Sequence, residues 1–350
     1  MSAPRRVAIV GAGDMGARHA EHWRAAGADI VAICDPNQDR ASALAARFGA
    51  RAEAEPLEAV RAADLDVVSV CTPTYLHAPV TIAALEAGRD VLCEKPVALT
   101  LEDAQAMAEA ERRSGRRLRI GFMRRFDPLW RKVQTDLSLL GGPLMAHATL
   151  AAGVRPKLLM HDAQANGGPV IDMACHLFDR WERVFGVPPR TVRARGHTFG
   201  ADKPELRGLA HVAVDTVQVT LDYGDAGAAQ IQLSWGLPAG VPPVEHHSYV
   251  APGGLVQTDG GVATLVRGPE ATTYVRPDVD AWREEIAAFT RELDGGDPQG
   301  LADVQAGIRA LRSSLAVLEA VQTRATVVID GEPAGEPAGS GEPVPAGPAS

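Results

Sequence analysis

The chain has 350 residues, 46% hydrophobic and 23% charged, and its 35 basic and 44 acidic residues leave a net charge of −9. At roughly 150 residues per domain two domains are expected, and this composition excludes a chain that is disordered throughout. The acidic balance argues against nucleic acid or an anionic membrane as a partner. The sequence also has no apolar run near the roughly 20 residues that span a bilayer.

The cysteines and the start of the chain predict a cytoplasmic protein. Four cysteines without a CxxC pair are too few for a disulfide framework. Three of them, Cys34, Cys71 and Cys93, lie in or at the end of Val/Ile/Leu-rich runs, which predicts buried, reduced thiols. The first apolar run, residues 7–10, is too short for a signal peptide.

Short apolar runs alternate with Ala-rich helical segments over the first 122 residues. This alternation predicts a doubly wound parallel sheet, because strands covered on both faces are apolar nearly throughout. Thr100, with Asp103 three residues later, has the pattern of a helix cap. The predicted strands are residues 6–10, 29–34, 66–71, 89–93 and 118–122. The predicted helices are residues 15–26, 40–48, 57–62, 78–87 and 101–114.

From residue 123 to about residue 330 the strands follow one another in hairpins, and LDYGDAG (221–227) has the pattern of a hairpin turn. This half is predicted to be α+β, with a mostly antiparallel, open-faced sheet. A second subunit is expected to cover the open face, in a homodimer or homotetramer. The predicted strands are residues 145–152, 191–198, 215–223, 228–235, 247–251, 254–258 and 263–267. The predicted helices are residues 170–185, 281–293 and 302–323.

The last twenty residues, 331–350, are predicted to form a disordered tail. Five glycines and five prolines make up half of them, and Val344 is their only branched apolar residue. Such a segment buries too little surface to offset the entropy lost on ordering it.

A glycine-rich turn follows the first predicted strand and opens the first predicted helix. In the GxGxxG pattern of dinucleotide-binding folds, Gly11 permits the tight turn, Gly13 lets a pyrophosphate approach, and Gly16 allows close helix–strand packing. Asp35, 19 residues after the last glycine, suits a ribose diol and favours NAD over NADP, whereas Arg40 is able to accommodate a 2′-phosphate. The alternative is a glycine turn with an unrelated Asp. The predicted cofactor contacts in the turn are Gly11, Ala12, Gly13, Asp14, Met15 and Gly16.

Two further groups of residues are candidates for chemistry. Lys95 stands at the end of a predicted strand, where ligands of open α/β sheets bind, although a lysine beside Glu94 is also typical of a surface ion pair. Asp172 and His176 are four residues apart in one predicted helix, so their side chains share a face. A carboxylate there is able to orient an imidazole as a general acid or base. The alternative is a capping Asp and a core His.

These features, in this order, resemble the Gfo/Idh/MocA family of sugar and polyol oxidoreductases, which includes inositol dehydrogenases and glucose–fructose oxidoreductase. The resemblance covers residues 1 to about 330, and EKP followed 77 residues later by DxxxH is a specific combination. The motifs that carry it are GAGDMG (11–16), Asp35, CTPTYLH (71–77), CEKP (93–96), GFMRRFDP (121–128) and NGGPVIDMACHLFD (166–179).

The resemblance implies an NAD-binding Rossmann domain over residues 1–122 and a substrate-binding and oligomerisation domain over residues 123–330. It also implies that Lys95, Asp172 and His176 form the catalytic set, because these residues occupy the matching motif positions.

The resemblance implies further cofactor contacts outside the glycine-rich turn. Thr72, Pro73 and Glu94 match positions that line the nicotinamide half of the cofactor, and Lys95 is counted with them. His77 and Arg124 lie in matching motifs and are included among the expected cofactor contacts.

We hypothesise a reversible alcohol–ketone reaction on a sugar, cyclitol or related polyol, catalysed by an NAD(P)-dependent enzyme that acts on CH–OH groups. His176 would take the hydroxyl proton, and Lys95 would stabilise the charge that develops on the oxygen. Asp172 would orient His176 or bind a neighbouring hydroxyl. One alternative is a relative that uses transient oxidation for elimination or glycoside cleavage without net redox change. The other is a non-catalytic NAD or sugar sensor, which the presence of Lys95 and His176 disfavours.

Substrate recognition is expected from a polar loop as well as from the catalytic set. GFMRRFDP is similar to the inositol dehydrogenase branch, whereas residues 167–181 look more like sugar-acting relatives. Loop residues on a rigid scaffold often determine specificity, although a solvated surface loop is an equal alternative here. No metal is expected, because His246 and His247 are adjacent in a predicted strand and point to opposite faces. The loop candidates are Arg155, Lys157, His161, Asp162 and Asn166.

Overall fold

The computed structural model describes residues 4–329, so the predicted tail at 331–350 lies outside the described residues. The first sheet contains β1 (Arg6–Val10), β2 (Asp29–Cys34), β3 (Arg51–Glu53), β4 (Val67–Val70), β5 (Asp90–Glu94) and β6 (Leu118–Gly121). Its strands are all parallel and lie in the order β3-β2-β1-β4-β5-β6. The predicted doubly wound parallel sheet is therefore confirmed.

The five predicted strands of this sheet are confirmed to within one residue at each end. Every residue of β4 and β5 is buried, because helices cover both faces of the central strands. β3 was not predicted, since an exposed three-residue edge strand with the sequence RAE has no apolar run to reveal it.

Two of the helices between these strands, α2 (Gln38–Phe48) and α5 (Leu101–Ser114), begin at a side-chain cap and end at a left-handed glycine. The Thr100 side chain accepts a hydrogen bond from the Asp103 backbone N–H at 3.1 Å, which confirms the predicted cap. The same helix ends at Gly115, whose φ of +65° lies in the left-handed region. The helices are α1 (Asp14–Ala25), α2 (Gln38–Phe48), α3 (Pro56–Ala59), α4 (His77–Glu86) and α5 (Leu101–Ser114).

The second sheet has nine strands and is mostly antiparallel, as predicted. Its strands are β7 (Leu144–Gly153), β8 (Thr191–His197), β9 (Thr216–Asp222), β10 (Gly227–Leu237), β11 (Val244–Ala251), β12 (Gly254–Asp259), β13 (Val262–Arg267), β14 (Glu270–Val275) and β15 (Val327–Val328). They lie in the order β14-β13-β12-β11-β7-β10-β9-β8-β15, and β7 and β10 are the one parallel pair in this described sheet. The helices that follow β6 along the chain are α6 (Pro128–Ser138), α7 (Gly168–Asp172), α8 (Ala174–Phe185), α9 (Ala281–Leu293) and α10 (Val304–Thr323).

The prediction of one helix over residues 170–185 is wrong, because the helix is interrupted at Met173. α7 ends at Asp172 and α8 begins at Ala174, and Met173 between them has φ −98° and ψ −45°. The interruption frees the Asp172 carbonyl oxygen from the helical hydrogen-bond ladder. That oxygen instead accepts a hydrogen bond from Lys95 Nζ at 3.0 Å.

Three elements of the second half were not predicted. α6 begins with a proline, and the Asp127 side chain caps it by accepting from the Leu129 N–H at 2.9 Å. β14 is exposed at five of its six residues, so it has no buried face to produce an alternating pattern. β15 contains two residues, which is too short for any periodicity. The predicted hairpin at 221–227 is confirmed, since β9 and β10 pair in an antiparallel register across it.

The second sheet has one covered face and one open face. Val217 and Leu221 of β9 are buried, whereas Gln218 and Thr220 between them are exposed. α9 lies elsewhere: Phe289 packs edge-on against Trp23 of α1, with ring centroids 6.0 Å apart. This C-terminal helix therefore covers part of the first sheet, and the division at residues 122 and 123 stays a prediction. Among the described residues, no helix is both long and apolar enough to cross a membrane.

Candidate active site

Lys95 and Asp172 meet where the carboxyl end of β5 faces the end of α7. Lys95 Nζ lies 2.5 Å from the Asp172 Oδ1 carboxylate oxygen, and Asp172 is only 4% exposed. Burial by itself would lower the pKa of Lys95, but the attraction of the Asp172 carboxylate outweighs it and raises the pKa above its ordinary value. Lys95 is therefore a charged ammonium in the site and not an exposed surface ion pair.

His176 lies on α8, one turn beyond Asp172, and its ring packs edge-on against Phe122 at 5.7 Å between centroids. Burial lowers the pKa of His176 well below the ordinary 6.5, and the charges of Lys95 and Arg124 lower it further. The imidazole is neutral at neutral pH and is suited to accept a proton. Its Nδ1 atom is buried and has no hydrogen-bond partner among residues 4–329.

Glu94 holds the turn that presents Lys95. One carboxylate oxygen lies 3.1 Å from His19 Nε2, and the other accepts a hydrogen bond from the Lys95 backbone N–H at 3.1 Å. His19 Nδ1 lies 2.8 Å from Ser69 Oγ, so a buried polar chain links α1, β4 and the end of β5. His19 was not predicted from the sequence, although Ser69 in an otherwise apolar strand was a signal that a polar partner was needed.

The glycine-rich turn has the shape that a pyrophosphate requires. A Cβ at Gly13 would have no heavy atom within 4 Å, so the space beside its backbone is open. No side chain caps the start of α1, which leaves the N–H groups of its first turn available to an anion. Asp35 accepts hydrogen bonds from the Ala12 and Asn37 N–H groups at 2.9 and 2.8 Å, and Arg40 nearby is exposed. These residues fit NAD.

Substitution of two glycines is expected to separate cofactor binding from folding. Gly13→Ala should leave the melting temperature unchanged but weaken NAD binding by about tenfold or more, because the methyl group occupies the phosphate space. Gly16→Ala should destabilise the protein by about 1–3 kcal/mol, because overpacking forces the backbone to move, and its Cβ would lie 1.7 Å from the Gly11 carbonyl oxygen. Calorimetric NAD titration and thermal melts check both, and equal NAD affinity in Gly13→Ala would contradict the assignment.

His77 and Asn166 hold the turn at Thr72–Thr74, and both ring nitrogens of His77 lie within hydrogen-bond distance of a carbonyl oxygen. His77 is 1% exposed, and its ring nitrogens lie 2.7 Å from the Pro96 carbonyl oxygen and 3.0 Å from that of Thr72. Asn166 Oδ1 accepts a hydrogen bond from the Thr74 N–H at 3.1 Å, across 92 residues of sequence. We therefore expect His77 to position the turn, whereas the side-chain amide nitrogen of Asn166 has no partner among the described residues, and its contact with the substrate stays a prediction. Pro73 lies within the same turn.

The loop at 153–166 reaches the cofactor turn. Lys157 Nζ lies 2.7 Å from the Asp14 carboxylate at the start of α1. Arg155 instead stacks on Trp235 at 5.7 Å, and its backbone N–H donates to His161 Nε2 at 2.8 Å. The expected substrate contacts of Arg155 and Lys157 stay predictions. Its contact with Asp14 places Lys157 beside the first turn of α1, where the pyrophosphate is expected.

Arg124 is held by a carboxylate that the sequence analysis did not identify. Its guanidinium makes two hydrogen bonds to Glu245 of β11, the longer at 3.1 Å, and Glu245 in turn lies 3.2 Å from His247 Nε2. Burial lowers the pKa of His247 to about 4, so this ring is neutral. His247 is fully buried and its neighbour His246 is partly exposed. No group of three metal-binding side chains occurs within residues 4–329.

An open dinucleotide turn beside an ammonium, a carboxylate and a neutral imidazole defines a cofactor-dependent oxidoreductase. Residues 5–122 match the family model described as "Oxidoreductase family, NAD-binding Rossmann fold", and residues 137–249 match the GFO/IDH/MocA C-terminal domain. The chain therefore belongs to the GFO/IDH/MocA oxidoreductase family, which the sequence analysis predicted. The same matches confirm the prediction that the protein is an NAD-binding oxidoreductase.

Individual relatives are similar to this chain over most of its length. Inositol 2-dehydrogenase 4 of Saccharopolyspora erythraea is 33% identical over 316 residues, which are 84% of this chain and 87% of that protein. D-glucoside 3-dehydrogenase of Escherichia coli is 29% identical over 342 residues, covering 92% and 97%. The structure of an oxidoreductase domain protein from Kribbella flavida has a TM-score of 0.83 at 21% identity, covering 94% and 100%, and it shows the shared fold.

Proposed function

We propose that the protein is an NAD-dependent dehydrogenase that interconverts a secondary alcohol and a ketone on a sugar, cyclitol or related polyol. The observation that carries this proposal is the Lys95–Asp172 contact beside the neutral His176, at the strand ends that also bear the glycine-rich turn. Relatives named for inositol and for D-glucosides support a polyol ring as the substrate.

Each residue of the set has a distinct role in this mechanism. Bound NAD would supply the hydride acceptor. His176 accepts the hydroxyl proton at Nε2, since Nδ1 is enclosed in the protein. The Lys95 ammonium donates a hydrogen bond to the substrate oxygen and stabilises the negative charge that develops there. Asp172 holds Lys95 in place through the 2.5 Å contact, and its carboxylate also suits a neighbouring hydroxyl.

A substrate panel tests the proposal. Inositols, sugars, glycosides and amino-cyclitols are incubated with NAD and with NADP, and absorbance is followed at about 340 nm, where reduced nicotinamide absorbs. We expect NADH in proportion to ketone for at least one polyol, with NAD preferred over NADP because the Asp35 carboxylate repels a 2′-phosphate. Product formed without NADH would favour the non-redox elimination or glycosidase alternative. Sugar binding without any product would favour a sensor.

We also propose that the enzyme assembles as a homodimer or homotetramer through the open face of the second sheet and works in the cytoplasm. Met145 and Val250 are register neighbours on that face and are 57% and 52% exposed, which is typical of an interface. All four cysteines are free thiols, as a reducing compartment favours. Sedimentation velocity that returned a monomer would contradict the assembly. The partners we propose are the small-molecule substrate and this second copy, without nucleic acid or membrane.

A further inference from the structure

A small cavity beside His176 lies between α6 and α8 and is lined by an excess of arginines. Five arginines but one acidic residue, Asp179, surround it, in a chain whose net charge is −9. Its volume is about 20 Å³, and it adjoins an outer groove of about 800 Å³. Arg131 and Arg183 line both spaces. A concave site with uncompensated positive charge raises the local concentration of anions.

Three of the five arginines have no carboxylate partner among the residues that the structure describes. Arg124 and Arg125 are each paired with a buried or half-buried carboxylate. Within the described part of the chain, the other three make no ion pair: Arg131, Arg180 and Arg183. The positive charge of the cavity therefore comes mainly from these three side chains.

Arg180 is the most deeply placed of them. It is 9% exposed, and neither of its Nη atoms has a hydrogen-bond partner among the described residues. Its guanidinium lies 3.3 Å over the Trp130 ring, which fixes the plane of the group. The Tyr249 hydroxyl is a neutral neighbour of the guanidinium, and the two Nη groups keep their N–H donors available to an anion. Burial lowers the pKa of Arg180 to about 10, so it is still charged at neutral pH. A buried charge without a partner is costly, and a bound anion relieves that cost.

We propose that Arg180, with Arg131 and Arg183 at the rim, binds an oxyanion, that is, a carboxylate or phosphate group. The inner cavity has room for about one water-sized group, so one oxygen reaches Arg180 and the remainder of the molecule occupies the outer groove. Arg180 follows His176 by one helical turn, so the anion lies next to the general base. Two sources share this chemistry: an acidic group on the substrate itself, or a separate anion.

Calorimetric titration of inorganic phosphate into the full-length protein tests the site. Saturating NAD is present throughout, so that the glycine-rich turn at 11–16 does not bind the phosphate. We expect one saturable site, weakened by about tenfold or more in Arg180→Met, because charge-assisted hydrogen bonds to the anion are lost. Arg112→Met, on the exposed side of α5, is the matched control and should bind as the unmodified protein does. The absence of saturable binding, or equal affinity in Arg180→Met, would overturn the proposal.

A second variant protects the test if Arg180→Met folds poorly. Arg183→Gln, at the partly exposed rim, should fold normally by circular dichroism and bind phosphate at least about threefold more weakly. Unchanged affinity in both Arg183→Gln and Arg131→Gln would contradict the site. Since phosphate binding is measured without turnover, this result does not depend on the proposed reaction.

Kinetics with a neutral polyol distinguish the two sources of the anion. If the anion belongs to the substrate, phosphate raises KM competitively, and a sugar acid is preferred over the neutral sugar by an amount that Arg180→Met removes. If the anion is separate, phosphate changes kcat without competing with the polyol, and Arg180→Met abolishes that change. Either pattern supports the site and assigns its occupant, whereas identical phosphate effects in the unmodified enzyme and Arg180→Met would overturn it.

Discussion

His176→Ala is expected to lower kcat by at least about 100-fold, because a positioned general base contributes roughly 10²–10⁴ in rate. NAD affinity should stay within about twofold of the unmodified enzyme, since the glycine-rich turn lies in the other sheet. Steady-state kinetics on the substrate found in the panel, with calorimetric NAD titration, provide the two measurements. The matched control is His246→Ala. His246 is partly exposed on β11, on the face opposite to the buried His247, and the variant should retain full turnover.

The pH dependence of the same enzyme identifies the base independently. The pKa of His176 lies well below 6.5 because of burial and nearby cations, so the base is neutral at pH 7 and activity is lost only as the pH falls through that lowered value. The acid limb of kcat/KM should therefore lie below pH 6.5. Arg124→Gln should shift the limb to higher pH, since it removes a cation and frees the Glu245 charge. Near-normal turnover of His176→Ala, or a limb at or above pH 6.5, would remove His176 from the mechanism.

Lys95→Met is expected to reduce kcat by about 10²–10³, comparable to loss of a donor that stabilises a developing oxyanion. The substitution also leaves the Asp172 carboxylate buried without its cation, and breaking a buried pair of this kind costs about 3 kcal/mol or more in the free energy of unfolding. Urea denaturation and steady-state kinetics measure the two effects separately.

The double variant Lys95→Met/Asp172→Asn separates stability from catalysis. Removing both charges should restore most of the lost stability, because no unpaired carboxylate remains, while turnover stays as low as in the single variant. Arg47→Met, which breaks a half-exposed pair with Glu21, is the control and should change stability little. Turnover that recovers with stability in the double variant would show that Lys95 acts on the fold rather than on the substrate oxygen.

The arrangement of the site depends on contacts that no local pattern contains. Arg124 reaches Glu245 across 121 residues, and His19 reaches Glu94 across 75. Lys95 and Asp172 were both predicted from the sequence, but Asp172 was expected inside an unbroken helix. Only the packed structure shows that the helix stops there, which makes the Asp172 carbonyl available to Lys95. Local propensity carries no information about a carbonyl that a distant ammonium occupies.

Local chemistry was sufficient for α5, for α9 and for the five apolar strands of the first sheet. α5 and α9 begin and end where the sequence analysis placed them, and the first sheet follows from apolar runs that only a doubly covered strand requires. Other features depend on how the two sheets and their helices are brought together. They are the burial of Arg180, the partners of Arg124, and the path of the loop from Arg155 to Asn166. These features involve side chains that are far apart in the chain. The cost of removing them from water, and the gain from pairing them, exist only in the folded molecule.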